Sequence, residues 1–297
     1  KNKLTSITLG AGMKSVGENA FYGSSGVKKL SLNEGLETIG SRAFSGLSGL
    51  EGDLNIPSTV KEIGEYAVYE CVKLNGTLTI GGALTSIAWN YFGTGGTENA
   101  TDGFEKVILR EGVQTIGENC FIRWNGLKEA VIPDTVTTIE NGAFNSCGSL
   151  TKVSFGAGVK RIEDSAFSKT ALTGELKLPA SLETIGNSAF AYCDEITEVN
   201  IPDTVTSIGY AAFSYNTKTE KITVPYGDIQ YGGAASEHYI FTQYGGEDSK
   251  LTTVVLGGIP DDIGVGELFS MSLSNVQYVI LGSGVGATGV LVRCRQP

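Results

Sequence analysis

The side chains able to do chemistry are few and scattered. The chain of 297 residues has one histidine, His238, so neither a histidine-rich metal site nor a pair of catalytic imidazoles is available. Its five cysteines, Cys71, Cys120, Cys147, Cys193 and Cys294, show no C-x-x-C or zinc-ligand spacing. Asp261-Asp262 and the Glu98/Asp102 pair lack the spacing of a calcium loop. No GxSxG, P-loop or nucleotide fingerprint occurs. Carboxylates are common, yet nothing marks a cleft that would perturb a pair of them. Asn75-Gly76-Thr77 and Asn99-Ala100-Thr101 fit the glycosylation triplet, a pattern short enough to recur by chance. No catalytic residue, cofactor or metal ligand is expected, and what remains is contact chemistry on a surface.

Composition narrows the partners. Lys plus Arg is 22 and Asp plus Glu is 32, a net charge of −10, which repels phosphate backbones and argues against nucleic acid. No run of eighteen apolar residues is present, so no membrane-spanning helix is expected. Gly numbers 41, about twice ordinary usage, without the Gly-X-Y period of collagen.

The elements that position any surface residue are set by a repeat. Phenylalanines recur at 21, 44, 92, 121, 144, 167, 190 and 213, with Val68 filling the gap between Phe44 and Phe92. Most steps are 23 residues. A second column in phase reads Val16, Ile39, Ile63, Ile87, Ile116, Ile139, Ile162, Ile185 and Ile208. A third is an apolar-x-apolar pair, from Ile7/Leu9 through Val107/Leu109 and Ala130/Ile132 to Val254/Leu256 and Val279/Leu281. The pair has period two, so it marks a short strand with alternate side chains inward. Twelve such coils are counted, the first nine regular, with the Phe column as an inward aromatic spine. Gly follows the Ile column at 40, 64, 117, 186 and 209, but Ala88, Glu140 and Glu163 share that column, so tight packing explains it better than a positive φ.

The pattern resembles the BspA-type leucine-rich repeats, whose consensus reads roughly LTxIxIPxxVTxIGxxAFxxC. The match is close in Leu127 to Gly148 (LKEAVIPDTVTTIENGAFNSCG) and in Ile196 to Ser214 (ITEVNIPDTVTSIGYAAFS). It covers residues 4 to about 225 well and 251 to 285 weakly. The resemblance implies a right-handed, β-rich leucine-rich-repeat solenoid of the α/β class. About twelve coils of 23 residues would place a parallel sheet on one face, with little helix. It also implies a secreted or cell-surface protein that binds an extracellular-matrix protein or a glycan of a host. It supplies no ligand motif that maps onto numbered residues.

Three stretches are distinguished: a regular solenoid over 1–225, a degenerate aromatic insertion or loop over 226–250, and divergent coils of the same solenoid over 251–297. On the regular part, the outward column before the inward pair alternates in sign at Lys106, Glu129, Lys152 and Glu175, which predicts a self-neutralised ladder. Ile108 and Val131 are adjacent apolar residues in the other outward column and would form a small contact patch. Coil four breaks the pattern. Trp89 occupies a column of polar residues, Tyr91 replaces the small inward Ala, and Gly93 to Gly103 is an insertion. An outward Trp beside a loop suits a sugar or a protein contact; the alternative is a locally repacked coil.

The stretch 226–250 carries Tyr226, Tyr231, His238, Tyr239, Phe241 and Tyr244 and lacks the IGxxAF half, so it reads as an end shield or an aromatic loop. Cys71, Cys147 and Cys193 share one column at least two coils apart, too far for a disulfide, and are expected to be free and buried, as is Cys120. The chain opens inside a repeat at Leu4 without an initiator methionine and is read as a segment of a longer protein. The functional expectation is a binding or adhesion module whose candidate contact residues are Trp89, Tyr91, Lys106, Ile108, Glu129 and Val131. The alternative is a structural spacer or self-association region.

Overall fold

The computed structural model describes residues 3–88, 91–92, 103–225, 229–232, 241, 250–257, 278–281 and 291–292. Among these residues there is no helix. Each inward pair forms a short strand, and twelve such strands stack in sequence order from Ser6–Thr8 to Tyr278–Leu281. Pairing is parallel, and equivalent columns face one another: Ile7 opposite Leu30, Val107 opposite Ala130, Val254 opposite Val279. A second ladder of ten two-residue strands carries the Ile column, with Ile116 opposite Ile139 and Ile139 opposite Ile162. Each of the twelve expected coils contributes a main-ladder strand, but among the described residues only the first ten contribute to the second ladder. After coil ten, the described residues contribute main-ladder strands alone.

The Phe-column turn forms a third ladder that no strand pattern announces. Phe121, Phe144 and Phe167 each donate a backbone N–H to the carbonyl of Ala143, Ala166 and Ala189 in the next coil, at 2.7, 2.7 and 2.8 Å. Residues two before and two after each Phe do the same: Ser165 N–H to Asn187 and Lys169 N–H to Ala191, both at 2.8 Å. Those flanking residues are left-handed, as at Arg42 (φ 52°), Ser165 (φ 55°), Lys169 (φ 59°) and Tyr192 (φ 60°). Every second N–H of the turn (Ser165, Phe167, Lys169) reaches the next coil, while those between close the turn on itself, Ala166 onto the Glu163 carbonyl and Ser168 onto that of Ser165, so a non-strand segment bonds coil to coil.

The glycines after the Ile column have ordinary φ. Their role is space, since a Cβ on Gly40 would lie 2.6 Å from the Glu18 nitrogen of the preceding coil. Positive φ matters instead at Gly52 (82°) and Gly174 (73°). Each opens a strand whose register shifts against the next, and the main ladder is interrupted just before each one.

The core is one continuous cluster. Phe44, Phe121, Phe144, Phe167 and Phe190 are fully buried. Ring centroids step along the axis at 5.0 Å (Phe121–Phe144), 5.1 Å (Phe144–Phe167), 5.4 Å (Phe167–Phe190) and 5.5 Å (Phe190–Phe213). Phe21 is half-buried and Ala20 exposed, unlike the buried Ala43 and Ala67. At the irregular coil, Trp124 fills the seam and touches Phe92, Phe104 and Phe121.

The stretch 226–250 is not without its IGxxAF half. Tyr231 pairs with Ile208 in the second ladder, and a Cβ on Gly232 would crowd Tyr210 at 2.8 Å, as the column glycines do. Phe241 stacks on Phe213 at 5.3 Å. The half is present but spread over a longer path, with Tyr in the Ile position, which hides it from a fixed 23-residue alignment. At the far end of the main ladder, Leu291–Val292 pairs antiparallel with Tyr278–Leu281, so the last sheet ends in a reversed strand.

Candidate functional site

The outward columns of the main ladder form a face lined by paired charges. Glu129 accepts from Lys106 and Lys152 at 3.0 Å each, and Lys128 meets Glu105 at 2.8 Å. The Lys152 hydrogen bond, then that of Lys106, holds the Glu129 carboxyl below the usual carboxylate range. Lys61 and Lys14 act alike on Glu37, and Lys221 on Glu198. Glu175 stands outside this ladder. The main ladder is interrupted before Gly174, and Glu175 instead accepts from Asn200 Nδ2 at 3.0 Å. Lys106 and Glu129 are thus each other's partners before any ligand arrives.

Ile108 and Val131 lie opposite each other across the ladder, both half-buried. Tyr91 is half-buried against the core, edge-on to Phe92 at 6.3 Å, and its hydroxyl pKa is raised chiefly by burial. It packs rather than projects. Trp89, the segment 93–102, Tyr226, His238, Tyr239, Tyr244 and Cys294 lie outside the described residues.

Beside Val131 the face opens into a groove of about 720 Å³ spanning coils three to six. Its apolar wall is Ala83, Leu109, Val131 and Pro133, and Arg110 and Glu111 complete the rim. Local sequence makes it. Coil three carries Pro57-Ser58-Thr59 and coil six Pro133-Asp134-Thr135 at the strand exit, while coil four carries Gly81-Gly82-Ala83. Gly82 is also obligatory, because a Cβ there would run into the Glu111 carbonyl oxygen. Arg110 does not stand out from the repeat columns, since an exposed position after an inward residue tolerates any type. The readable signal is the loss of Pro and of side chains in coil four.

A second feature lies on the Phe-turn side. Tyr192, which is 43% exposed, stacks on Tyr215 at 4.2 Å, and Lys169 Nζ sits 5.7 Å from the Tyr192 centroid. Both faces of Tyr192 are already covered, so it offers an edge rather than a sugar platform.

The thiols are structural. Cys71, Cys147 and Cys193 donate to the carbonyls of Phe44, Phe121 and Phe167 at 3.3, 3.0 and 3.2 Å. Burial pushes the Cys71 and Cys147 thiols up to about 12 and Cys193 to about 11. All four described cysteines are free, and no group of three or more His, Cys, Asp or Glu among the described residues is placed to hold a metal.

The family profile of the BspA type leucine rich repeat region matches residues 1–101 and 98–220, in six copies. The chain belongs to this family. No curated protein matches it. Among solved structures, this BspA-type chain is similar to a leucine-rich repeat protein from Bacteroides ovatus, at 21% identity and a TM-score of 0.55 over 95% of this chain. A leucine rich cell surface protein from Faecalibacterium prausnitzii is 22% identical over 87% of this chain and 80% of its own length, with a TM-score of 0.38. The pneumococcal vaccine antigen PcpA is 21% identical, with a TM-score of 0.43, over 95% of this chain and 64% of its own. The chain likewise spans 64% of the Bacteroides ovatus protein. At these identities the likeness is one of fold.

Proposed function

We propose that this BspA-type solenoid is a non-catalytic binding module of a secreted or cell-surface protein, with an extracellular protein or glycan as its ligand. The carrying observation is the groove over coil four, which opens beside the charge pairs of Lys106, Glu129 and Lys152 and is continuous with the Ile108/Val131 patch through Val131. A long stack presents such a face to extended partners, and family membership together with surface-protein relatives supports the location. Trp89, beside the insertion in the same coil, is proposed as an added contact. A spacer is the second reading, favoured by the ladder in which Lys106, Glu129 and Lys152 satisfy one another.

The test is surface plasmon resonance of the immobilised chain against extracellular-matrix proteins, fibronectin and fibrinogen included, and against a glycan array. The expected result is at least one binder, weakened by Val131→Glu or Trp89→Ala with the thermal melt unchanged. No binder from a chain that melts normally would overturn the binding reading and leave the spacer.

A further inference from the structure

Several lysines of the main ladder are engaged, Lys106 and Lys152 on Glu129, Lys128 on Glu105 and Lys221 on Glu198, whereas Lys29 and Lys177 form no ion pair among the described residues. What sets Arg110 apart is its place on the groove rim. It is exposed and forms no ion pair among the described residues. Its Nη2 donates to Asn55 Oδ1 at 3.4 Å, two coils back, which lays the guanidinium along the groove rim. Glu111, next in sequence, is committed elsewhere. Its carboxylate accepts the N–H groups of Asp134 and Thr135 in coil six, at 3.3 and 3.2 Å.

We propose that this groove takes an extended peptide segment presenting an aspartate or glutamate beside an aliphatic side chain. The proposal rests on the binding-module reading and names its partner class. A guanidinium fork matches a carboxylate with two parallel N–H donors, and Arg110 has no competing acid. The aliphatic side chain would cover the half-buried Ala83 and Val131, burying apolar surface on both partners. Among the described residues no aromatic ring lines the groove, so they supply no stacking platform for a sugar. On a chain of net charge −10, an acidic segment is repelled by most of the surface, and Arg110 is the cation that stands beside the groove's apolar wall, so the acid and the aliphatic side chain are held together there.

The experiment pans a random nonapeptide library on the immobilised chain and measures the labelled selected peptide by fluorescence polarisation. Enriched sequences should carry Asp or Glu within two positions of Val, Leu or Ile. Arg110→Ala should weaken binding by about tenfold or more, and Arg110→Lys should restore only part. Exchanging the peptide's acid for its amide should cost about as much and add little in the Arg110→Ala variant. Ala83→Trp, which fills the groove, should also weaken binding, while Lys177→Ala on the same face should not. Circular dichroism melts check that each variant folds. Selected peptides without an acid, unchanged binding by folded Arg110→Ala, or no enrichment would each overturn the inference. The binding-module reading is decided separately by whole proteins and glycans, so the two can fail independently.

Discussion

Replacing Phe144 by Ala removes one ring from the middle of the aromatic column. That ring is fully buried and lies between Phe121 at 5.0 Å and Phe167 at 5.1 Å, with interplanar angles of 25° and 7°. A buried Phe→Ala change costs about 3–5 kcal/mol in lost transfer energy and cavity formation. Each stacked pair contributes about 0.5–1.5 kcal/mol beyond burial, and both pairs are lost together. The expected cost is therefore at the upper end, about 4–5 kcal/mol. Phe144→Leu keeps most of the volume and loses both ring pairs, for about 1–3 kcal/mol. Phe21→Ala strikes a half-buried ring stacked on Phe44 alone, at 5.6 Å, and should cost under about 2 kcal/mol. Urea titration followed by far-ultraviolet circular dichroism reads all three, with the m value checked because stacked repeats can lose cooperativity. A cost for Phe144→Ala under about 1 kcal/mol, or one no larger than that of Phe21→Ala, would refute the inward spine.

The charge ladder gives a pH prediction. The Glu129 carboxyl is held below its usual 4.5, so its contribution is present above that value and is lost as pH falls through the lower folded value. With side chains 27% to 65% exposed, Glu129→Gln should cost under about 1 kcal/mol at pH 7 and less at pH 3 by calorimetry; an equal difference at both pH values would exclude an ionic role. The buried thiols of Cys71, Cys120, Cys147 and Cys193, all with raised pKa, should resist Ellman's reagent at pH 8 in a Cys294→Ser background and react once urea unfolds the chain. Rapid labelling of the native protein would place them outside the core.

Columns that face the core were legible because burial restricts them to few residue types at fixed spacing. Ile116, Phe144 and Ala166 read true for that reason. The left-handed turn was not legible: Arg42, Ser165 and Tyr192 share a φ of 52–60° but no side-chain chemistry, since backbone hydrogen bonds hold them there. Tyr231 and Phe241 keep their columns while abandoning the 23-residue step, so a register-based alignment loses them. At the candidate site, Ile108 and Val131 were visible as apolar residues in an outward column, whereas Arg110 was not. Its proposed role rests on its meeting no acid among the described residues, which no spacing encodes.

The central claim is that coils stack in parallel, one rung per repeat, beneath a continuous outward face. Spin labels test it directly. Thr8, Asn55 and Lys177 are exposed members of one outward column, and the native thiols are buried. From Thr8→Cys to Lys177→Cys there are seven rungs, and from Asn55→Cys to Lys177→Cys five, so double electron–electron resonance should give about 34 and about 24 Å at about 4.8 Å per rung. Distances that do not grow in proportion to the rungs between the labels, or a longer pair below about 20 Å, would contradict the account.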